Sequence, residues 1–274
     1  MIRPVKTYDE CRTFATSFQG DPSFSAPMLS SEEQVQCNLV RPIGNPDRYC
    51  VFGVYCEETL TGLFAFLVIR DEQYAEMLAG LSHEKSAYLE ALQYLEQHFP
   101  GYGVDFVFNP GNCLLREQLN TLKADFEPEQ QKMVLEAPAP DMDTTGIVPL
   151  SDQYAEQYCA IHNKDMYWTG EKVMQAQDRF HTFLAIRDGR VVGYIDVTCT
   201  FKENEPFDLL VLEEYRRMGY GRKLLAKALE VNAPNAMSVL VDADNVPAIR
   251  LYASMGFAKK QTMLTAHWTV PSAE

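Results

Sequence analysis

In the second half of the chain, short apolar runs with strand character alternate with three stretches of helical period. Phe180–Ile186 and Val191–Thr198 read as strands, joined by Arg187-Asp-Gly-Arg190, whose Asp-Gly pair suits the positive-φ positions of a two-residue hairpin turn. Pro206–Leu212 is a third apolar strand. Gly221–Val231 follows as an amphipathic helix, with Leu224, Leu225, Ala228 and Leu229 on one face. Met237–Val241 predicts a strand, Val246–Met255 a helix and Lys260–Thr269 a closing strand, while Tyr154–His162 predicts a helix ahead of the hairpin.

The first half repeats this order. Arg48–Tyr55 and Gly62–Ile69 form a hairpin, Ala75–Leu81 is a further strand, and Ser86–Phe99 is a helix. Strand Gly103–Phe108, helix Leu114–Lys123 and strand Gln131–Glu136 complete it. Two landmarks share one offset: Gly62 to Gly193 and Phe126 to Phe257 are both 131 residues apart. The repeat predicts an internal duplication, two tandem α+β units. Ala137-Pro-Ala-Pro-Asp-Met-Asp-Thr-Thr-Gly146 has two prolines and no apolar period, so the expected domains are 1–137 and 146–274 with a linker at 138–145.

Composition narrows the partners. The chain has 274 residues, 46% apolar, enough for two cores. No apolar run reaches the roughly 18 residues of a membrane span, and the start has no signal-peptide character, so a cytoplasmic protein without membrane association is expected. The formal charge of −14 argues against nucleic-acid binding. Acidity is uneven: residues 1–137 hold 20 acidic against 10 basic residues, residues 138–274 hold 18 against 14. Seven cysteines without CxxC spacing and five scattered histidines predict reduced thiols and no metal. Against this background Arg216, Arg217, Arg222 and Lys223 crowd into eight positions, which suggests one specific anionic ligand.

Those cations surround Arg216-Arg-Met-Gly-Tyr-Gly-Arg222, where a strand turns into a helix. Gly219 and Gly221 permit a tight turn and a close ligand approach. The free N–H groups of Arg217, Met218, Gly219, Tyr220, Gly221 and Arg222, with the helix dipole behind them, would make a cradle for a pyrophosphate. A dinucleotide fingerprint needs a third glycine where Leu224 stands, and no P-loop is present. Taken alone, the turn also fits an ordinary strand-to-helix connection with a solvated basic face.

A second segment, Asn245-Val-Pro-Ala248-Ile-Arg-Leu-Tyr252-Ala-Ser-Met-Gly256-Phe257, changes this reading. Together the two segments resemble the GNAT superfamily of N-acetyltransferases, whose pattern Leu-x-Val … Arg-x-x-Gly-x-Gly … Asn-x-x-Ala-x-x-x-Tyr-x-x-x-Gly-Phe is met at every position. The resemblance covers about residues 146–270; Glu213, where the family often has proline, departs from it. It implies tandem GNAT-like domains, each a mixed, mostly antiparallel sheet flanked by helices, with acetyl-CoA as cosubstrate. Strands Pro206–Leu212 and Met237–Val241 would splay to admit the pantetheine arm. Leu210, Val211 and Leu212 would pair with its amides, and Asn245 would contact the cofactor. Tyr252 would protonate the departing thiolate. A catalytic glutamate four residues before the Leu of Leu-x-Val is Glu205, with Asp208 in reserve and a water chain as the alternative.

The resemblance also assigns acceptor choice to the first helices and loops, here Tyr154, His162, Asp165, Tyr167, Trp168 and Glu171. Aromatics beside carboxylates suit a cationic amine, and a packed helix edge explains them equally well. His162 alone reads as a satisfied histidine. By the 131-residue offset, Leu114 stands for Asn245, Thr121 for Tyr252, and Lys85–Glu90 for the turn, so the first unit lacks both cradle and donor. The implied activity is acetyl transfer to a primary amine of a small molecule or peptide. A non-catalytic acyl-CoA sensor or scaffold and a nucleotide-binding protein are the rivals, and the oligomeric state stays open.

Overall fold

A computed structural model describes residues 1–138, 140–164 and 167–272. By internal contacts the chain divides into two compact units: Met1–Gln130 together with the chain's end from Gln261, and Gln131–Lys260.

The first unit opens with strand β1 (Ile2–Pro4) and short helices α1 (Arg12–Ser17), α2 (Glu32–Val35) and α3 (Arg41–Ile43). Then come β2 (Tyr49–Cys56), β3 (Thr59–Ile69), β4 (Tyr74–Leu81), α4 (Lys85–His98), β5 (Gly103–Phe108), α5 (Cys113–Thr121) and β6 (Asp125–Phe126). β1 to β4 pair antiparallel in sequence order, and β4 runs parallel to β5. The outer side of β5 is filled by Leu264–Thr269 from the end of the chain, antiparallel to it. Helices α4 and α5 cover one face, over Phe52, Phe64, Phe66 and Phe106; α1 packs with Leu63, Ala65 and Ala79 on the other.

The second unit contains β7 (Gln130–Leu135), β8 (Ile147–Pro149), α6 (Ala155–Ile161), α7 (Gly170–Gln175), β9 (Phe180–Arg187) and β10 (Arg190–Thr198). It continues with β11 (Glu203–Asn204), β12 (Pro206–Val211), α8 (Tyr220–Asn232), β13 (Ala236–Asp242), α9 (Val246–Ser254) and the start of β14 (Phe257–Thr269). Order β12–β10–β9–β8 makes one antiparallel sheet; β7, β13 and β11 belong to another. Leu224, Leu225, Ala228 and Leu229 of α8 are buried against Val192, Ile195, Val239 and Val241, as their spacing predicts. Each leucine contributes up to roughly 1.5–3 kcal/mol by leaving water. Tyr158 of α6 and Val173 of α7 cover the opposite face, over Leu184, Val191 and Tyr194.

The strand expected to close the second domain thus gives its later residues to the first unit, while β7, expected in the first, lies in the second. The contact boundaries fall at Gln130 and Lys260, away from the linker expected at 138–145. Alternation in an apolar strand specifies which side chains are buried, not which sheet buries them, so this exchange leaves no trace in the pattern.

Both units are built to one plan. Each hairpin carries an extra residue at the same place, Thr61 before Gly62 and Val192 before Gly193. Each third strand carries another, Leu78 in β4 and Phe207 in β12. Registers through these bulges match Leu63 with Tyr194, Ala65 with Asp196 and Ala79 with Asp208. Asn112 caps α5 through the Leu115 N–H, 3.1 Å, as Asn245 caps α9 through Ala248, 3.2 Å. The counterpart of Asn245 is therefore Asn112, not Leu114, and that of Tyr252 is Leu119, not Thr121. The left-handed residues after these helices, Lys123 and Gly256, agree, so Phe126 and Phe257 are not equivalent. Likewise α4 starts at Lys85 after Glu84, where α8 starts at Tyr220 after Gly219, so Leu81–Ser86 matches the turn. Loop lengths differ between the copies, and a single offset fails beyond the hairpin.

His267 on β14 places Nδ1 on Asp105 and Nε2 3.1 Å from Glu127. Burial lowers its pKa, but the two carboxylates outweigh this and raise it. A raised folded-state pKa stabilises below the unfolded value of about 6.5 and is lost as pH rises through the folded value. His267→Gln is therefore expected to lower the thermal midpoint most near pH ~5.5, with the deficit closing under alkaline conditions; a deficit that does not vary with pH would show that the imidazole is uncharged here.

Candidate active site

Between Asn204 and Pro206 the second unit's chain changes partner. Glu203 and Asn204 pair in parallel with Ala236 and Met237; from Pro206 on, β12 pairs with β10 instead. Buried Asn204 holds the switch. Its Oδ1 accepts from Phe201 N–H at 3.0 Å and its Nδ2 donates to Asn232 at 2.8 Å, while Asn232 donates to Asn235 and Ala236 carbonyls. Thr198 Oγ1 accepts the Glu205 N–H at 2.9 Å. β12 and β13 consequently lie in different sheets, and the expected splay is present.

At the far end of β12, Leu212 runs through a 3-10 turn, Glu213–Tyr215, into α8. Arg217 at φ 64° and Gly219 at φ 88° are both left-handed. A Cβ added at Gly219 would enter open space, with nothing within 4 Å. The first bond of the helix is Lys223 N–H to Gly219 O, 3.1 Å; the six N–H groups of Arg217 to Arg222 have no acceptor among the described residues. Such a run of free donors at a helix N-terminus is an anion nest. Arg216, Arg217 and Arg222 are exposed beside it, and Met218 is 56% exposed. Lys223 is instead directed to Asp143 at 3.5 Å and the Thr145 carbonyl, while Gly221 admits the Leu251 side chain of α9.

The strand edge is more selective than expected. Leu212 donates to Val192 O at 2.9 Å, and alternation then commits Leu210 to β10 as well. Leu209 and Val211 turn their N–H groups outward, and the Val211 carbonyl accepts Arg216 Nε at 3.0 Å. Asn245, expected to touch the cofactor, uses its side-chain oxygen to cap α9. Tyr252 is 7% exposed, with its ring 5.5 Å from Phe257 and its hydroxyl unbonded among the described residues. Burial pushes its phenol up to about 12, and the charge of Asp208 adds to the rise. Glu205 is half-buried; burial raises its carboxyl, Lys132 opposes this, and Glu203 adds to it.

Asp196, Tyr158, Thr182 and Tyr194, which sequence reasoning missed, join His162 and Asp208 on the face covered by α6 and α7. Asp196 of β10 is fully buried and accepts from Tyr158 OH at 2.9 Å, Thr182 Oγ1 at 2.6 Å and His162 Nε2 at 3.0 Å. His162 Nδ1 faces the Asn163 carbonyl at 2.9 Å, which can only accept. Both contacts favour a protonated ring nitrogen, so an imidazolium against Asp196 is the form this geometry favours. Burial lowers its pKa, but the Asp196 and Asn163 bonds and the charges of Asp196 and Asp208 outweigh this and raise it. Tyr194, stacked on His162 at 4.9 Å, donates to Asp208 at 2.6 Å, and Asp208 lies 3.9 Å from His162 Nε2. The available signal was Asp196 itself, an acid inside the otherwise apolar run Val191–Thr198. Of the other aromatics, Trp168 packs on Phe180, and exposed Tyr167 already has Lys172 Nζ 3.9 Å from its ring. Asp165 lies outside the described residues.

Residues 147–257 match the acetyltransferase (GNAT) family. An N-alpha-acetyltransferase of Sulfurisphaera tokodaii is 30% identical over 122 residues, 39% of this chain and 71% of its own length. Among solved structures, a GCN5-related N-acetyltransferase of Sphaerobacter thermophilus shares the fold over 100% of this chain and 97% of its own, at 16% identity and TM-score 0.63. A GNAT acetyltransferase of Colwellia psychrerythraea covers 98% and 100%, at 13% identity and TM-score 0.50. The chain belongs to the GNAT acetyltransferase family, as two tandem units of that fold.

Asp196→Ala leaves an imidazolium and two hydroxyls buried without their acceptor, and is expected to destabilise by roughly 3–5 kcal/mol in urea unfolding. Adding His162→Leu should recover part of that loss, and an unaltered midpoint for Asp196→Ala alone would contradict the ion pair.

Proposed function

We propose that the unit Gln131–Lys260 transfers an acetyl group from acetyl-CoA to a primary amine of a small molecule or peptide. The observation that carries this reading is the run of six N–H groups at Arg217–Arg222 without acceptors among the described residues, in a left-handed turn flanked by three exposed arginines. It fits the pyrophosphate of coenzyme A in charge and in shape. The splay beside β12 leaves a path for the pantetheine arm, with Val211 offering its N–H along it. The amine acceptor is supported by the N-alpha-acetyltransferase relative, whose name describes that chemistry.

In the reaction, the amine nitrogen attacks the thioester carbonyl and an oxyanion forms. An outward N–H of β12, preorganised by the sheet, can stabilise it. As the oxyanion collapses and the C–S bond breaks, Tyr252 gives its proton to the departing thiolate. The attacking nitrogen loses one proton to a base or to solvent, and the phenolate regains a proton from solvent; burial pushes the phenol up to about 12. Glu205 stands at the entrance of β12, where Lys132 and Glu203 set its charge environment, whereas the Tyr252 phenol responds to Asp208.

Among the described residues no helix is long and apolar enough to cross a membrane, and all seven cysteines are free. The free thiols support work in the reducing cytoplasm.

Gly219→Ala puts a methyl group on a left-handed residue beside the nest, and is expected to weaken coenzyme A binding at least tenfold by calorimetry (about 1.4 kcal/mol). Undiminished affinity would mean that this turn is not the anion site. Tyr252→Phe should lower turnover about tenfold or more in a thiol-release assay while leaving coenzyme A affinity nearly unchanged. Tight coenzyme A binding with no turnover on any amine would instead make the chain an acyl-CoA sensor.

A further inference from the structure

The duplication supplies an internal control for the His162–Asp196–Asp208 cluster. A buried polar network can be mere architecture, a device for closing this sheet beneath its first helices. In the first unit the same sheet, with the same two bulges, closes without one: Leu63, Ala65 and Ala79 stand where Tyr194, Asp196 and Asp208 stand, and all three are buried among apolar neighbours. The fold does not need these charges. They accompany the unit that carries the anion nest, and the unit without the nest lacks them.

The cluster has a direction. Asp196 and His162 are sealed, with side chains 0% and 1% exposed, and compensate one another. Asp208 is the outermost member at 16%, just after the Phe207 bulge on the strand that borders the splay. Asn163 N–H donates to Tyr194 OH at 3.2 Å, and Tyr194 passes its own proton toward Asp208 Oδ2, which fixes that carboxylate as an acceptor. Of the two carboxyl groups only Asp208 reaches the outside of the cluster, so it is the one an incoming group can meet.

We propose that Asp208 receives the acceptor amine as its ammonium ion and takes a proton from it, and that His162 and Asp196 are positioning residues that hold Asp208 ionised. The inference rests on the reading of the unit as an amine acetyltransferase, and it names cationic amines as the acceptor class. One proton moves from the ammonium nitrogen to an Asp208 oxygen, leaving a neutral amine with a free electron pair and a neutral carboxyl group. Burial raises the Asp208 pKa, which suits proton acceptance, while the Tyr194 bond and the His162 charge hold it down and Asp196 pushes it up. The ionisable groups around it are Tyr194 and Asp196 of β10, Tyr158 of α6, His162 just beyond α6, and Tyr252 of α9, whose phenol responds to the Asp208 charge.

The test uses the full chain, with thiol release measured against spermidine, phenethylamine, glucosamine, trialanine and 4-methylaniline, the last uncharged at neutral pH. With the best charged acceptor, Asp208→Asn is expected to lose about 10²-fold or more in kcat/KM, and less with 4-methylaniline, while coenzyme A affinity by calorimetry stays within about twofold. His162→Gln removes the positive charge that favours ionised Asp208, so the acid limb of kcat/KM against pH should move to higher pH; a purely structural role would lower the thermal midpoint without moving that limb. Wild-type turnover that Asp208→Asn leaves intact would overturn this inference and spare the acetyl-transfer reading. Coenzyme A binding with no turnover of any amine would overturn both. Loss of turnover on EDTA treatment, with recovery on adding zinc or manganese, would make the cluster a metal site and overturn the ammonium assignment.

Discussion

A strand in a sheet has two edges, and β12 uses only one. Everything proposed for the second unit follows from the point at which the chain leaves Ala236 and Met237 and pairs with β10. Had the parallel pairing continued, the outer N–H groups of Leu209 and Val211 would have been spent on β13, and no space would remain between the sheets. The switch is held by a small amide network, Asn204 with Asn232 and the main chain around Phe201 and Ala236. Its members are largely buried, so each bond lost would strand a polar group away from water.

The first unit shows what remains of this plan when the chemistry is removed. Its β4 also pairs in parallel with β5 only over Tyr74–Met77 and then diverges past the Leu78 bulge. The divergence belongs to the architecture and is not evidence of catalysis by itself. What separates the units is side-chain and turn chemistry: Leu81–Ser86 contains no glycine, Leu119 replaces Tyr252, and alanines replace two aspartates. The two copies share their hydrophobic packing and differ in these charges.

The sequence was most legible where one local rule acts alone. The hairpin at Asp188-Gly189, the buried face of α8 and the glycine-rich turn all depend on neighbouring residues, and each stands within a residue or two of its expected place. The acid in β10 was visible but not interpretable, because its meaning depends on His162 and Tyr158, which lie more than thirty residues earlier on another element. Asn245 was legible for only one of its two possible uses. A residue type that suits a ligand also suits a helix cap, and the cap is satisfied locally. Short elements such as α7, β8 and β11 carry too little pattern to be seen, and the strand exchange depends on which sheet edge is free, a property of the assembled fold.

The exchange has a bearing on how the protein is made. The sheet of the first unit lacks its outermost ladder until Leu264–Thr269 has emerged, although every other strand of that unit is synthesised within the first 126 residues. A ribosome adds more than 150 residues after Phe108 before β5 can meet its partner Leu264–Thr269, and in the interval that strand presents a bare hydrogen-bonding margin. Synthesis order and folding order are thereby decoupled: the half that is translated first is among the last to be completed.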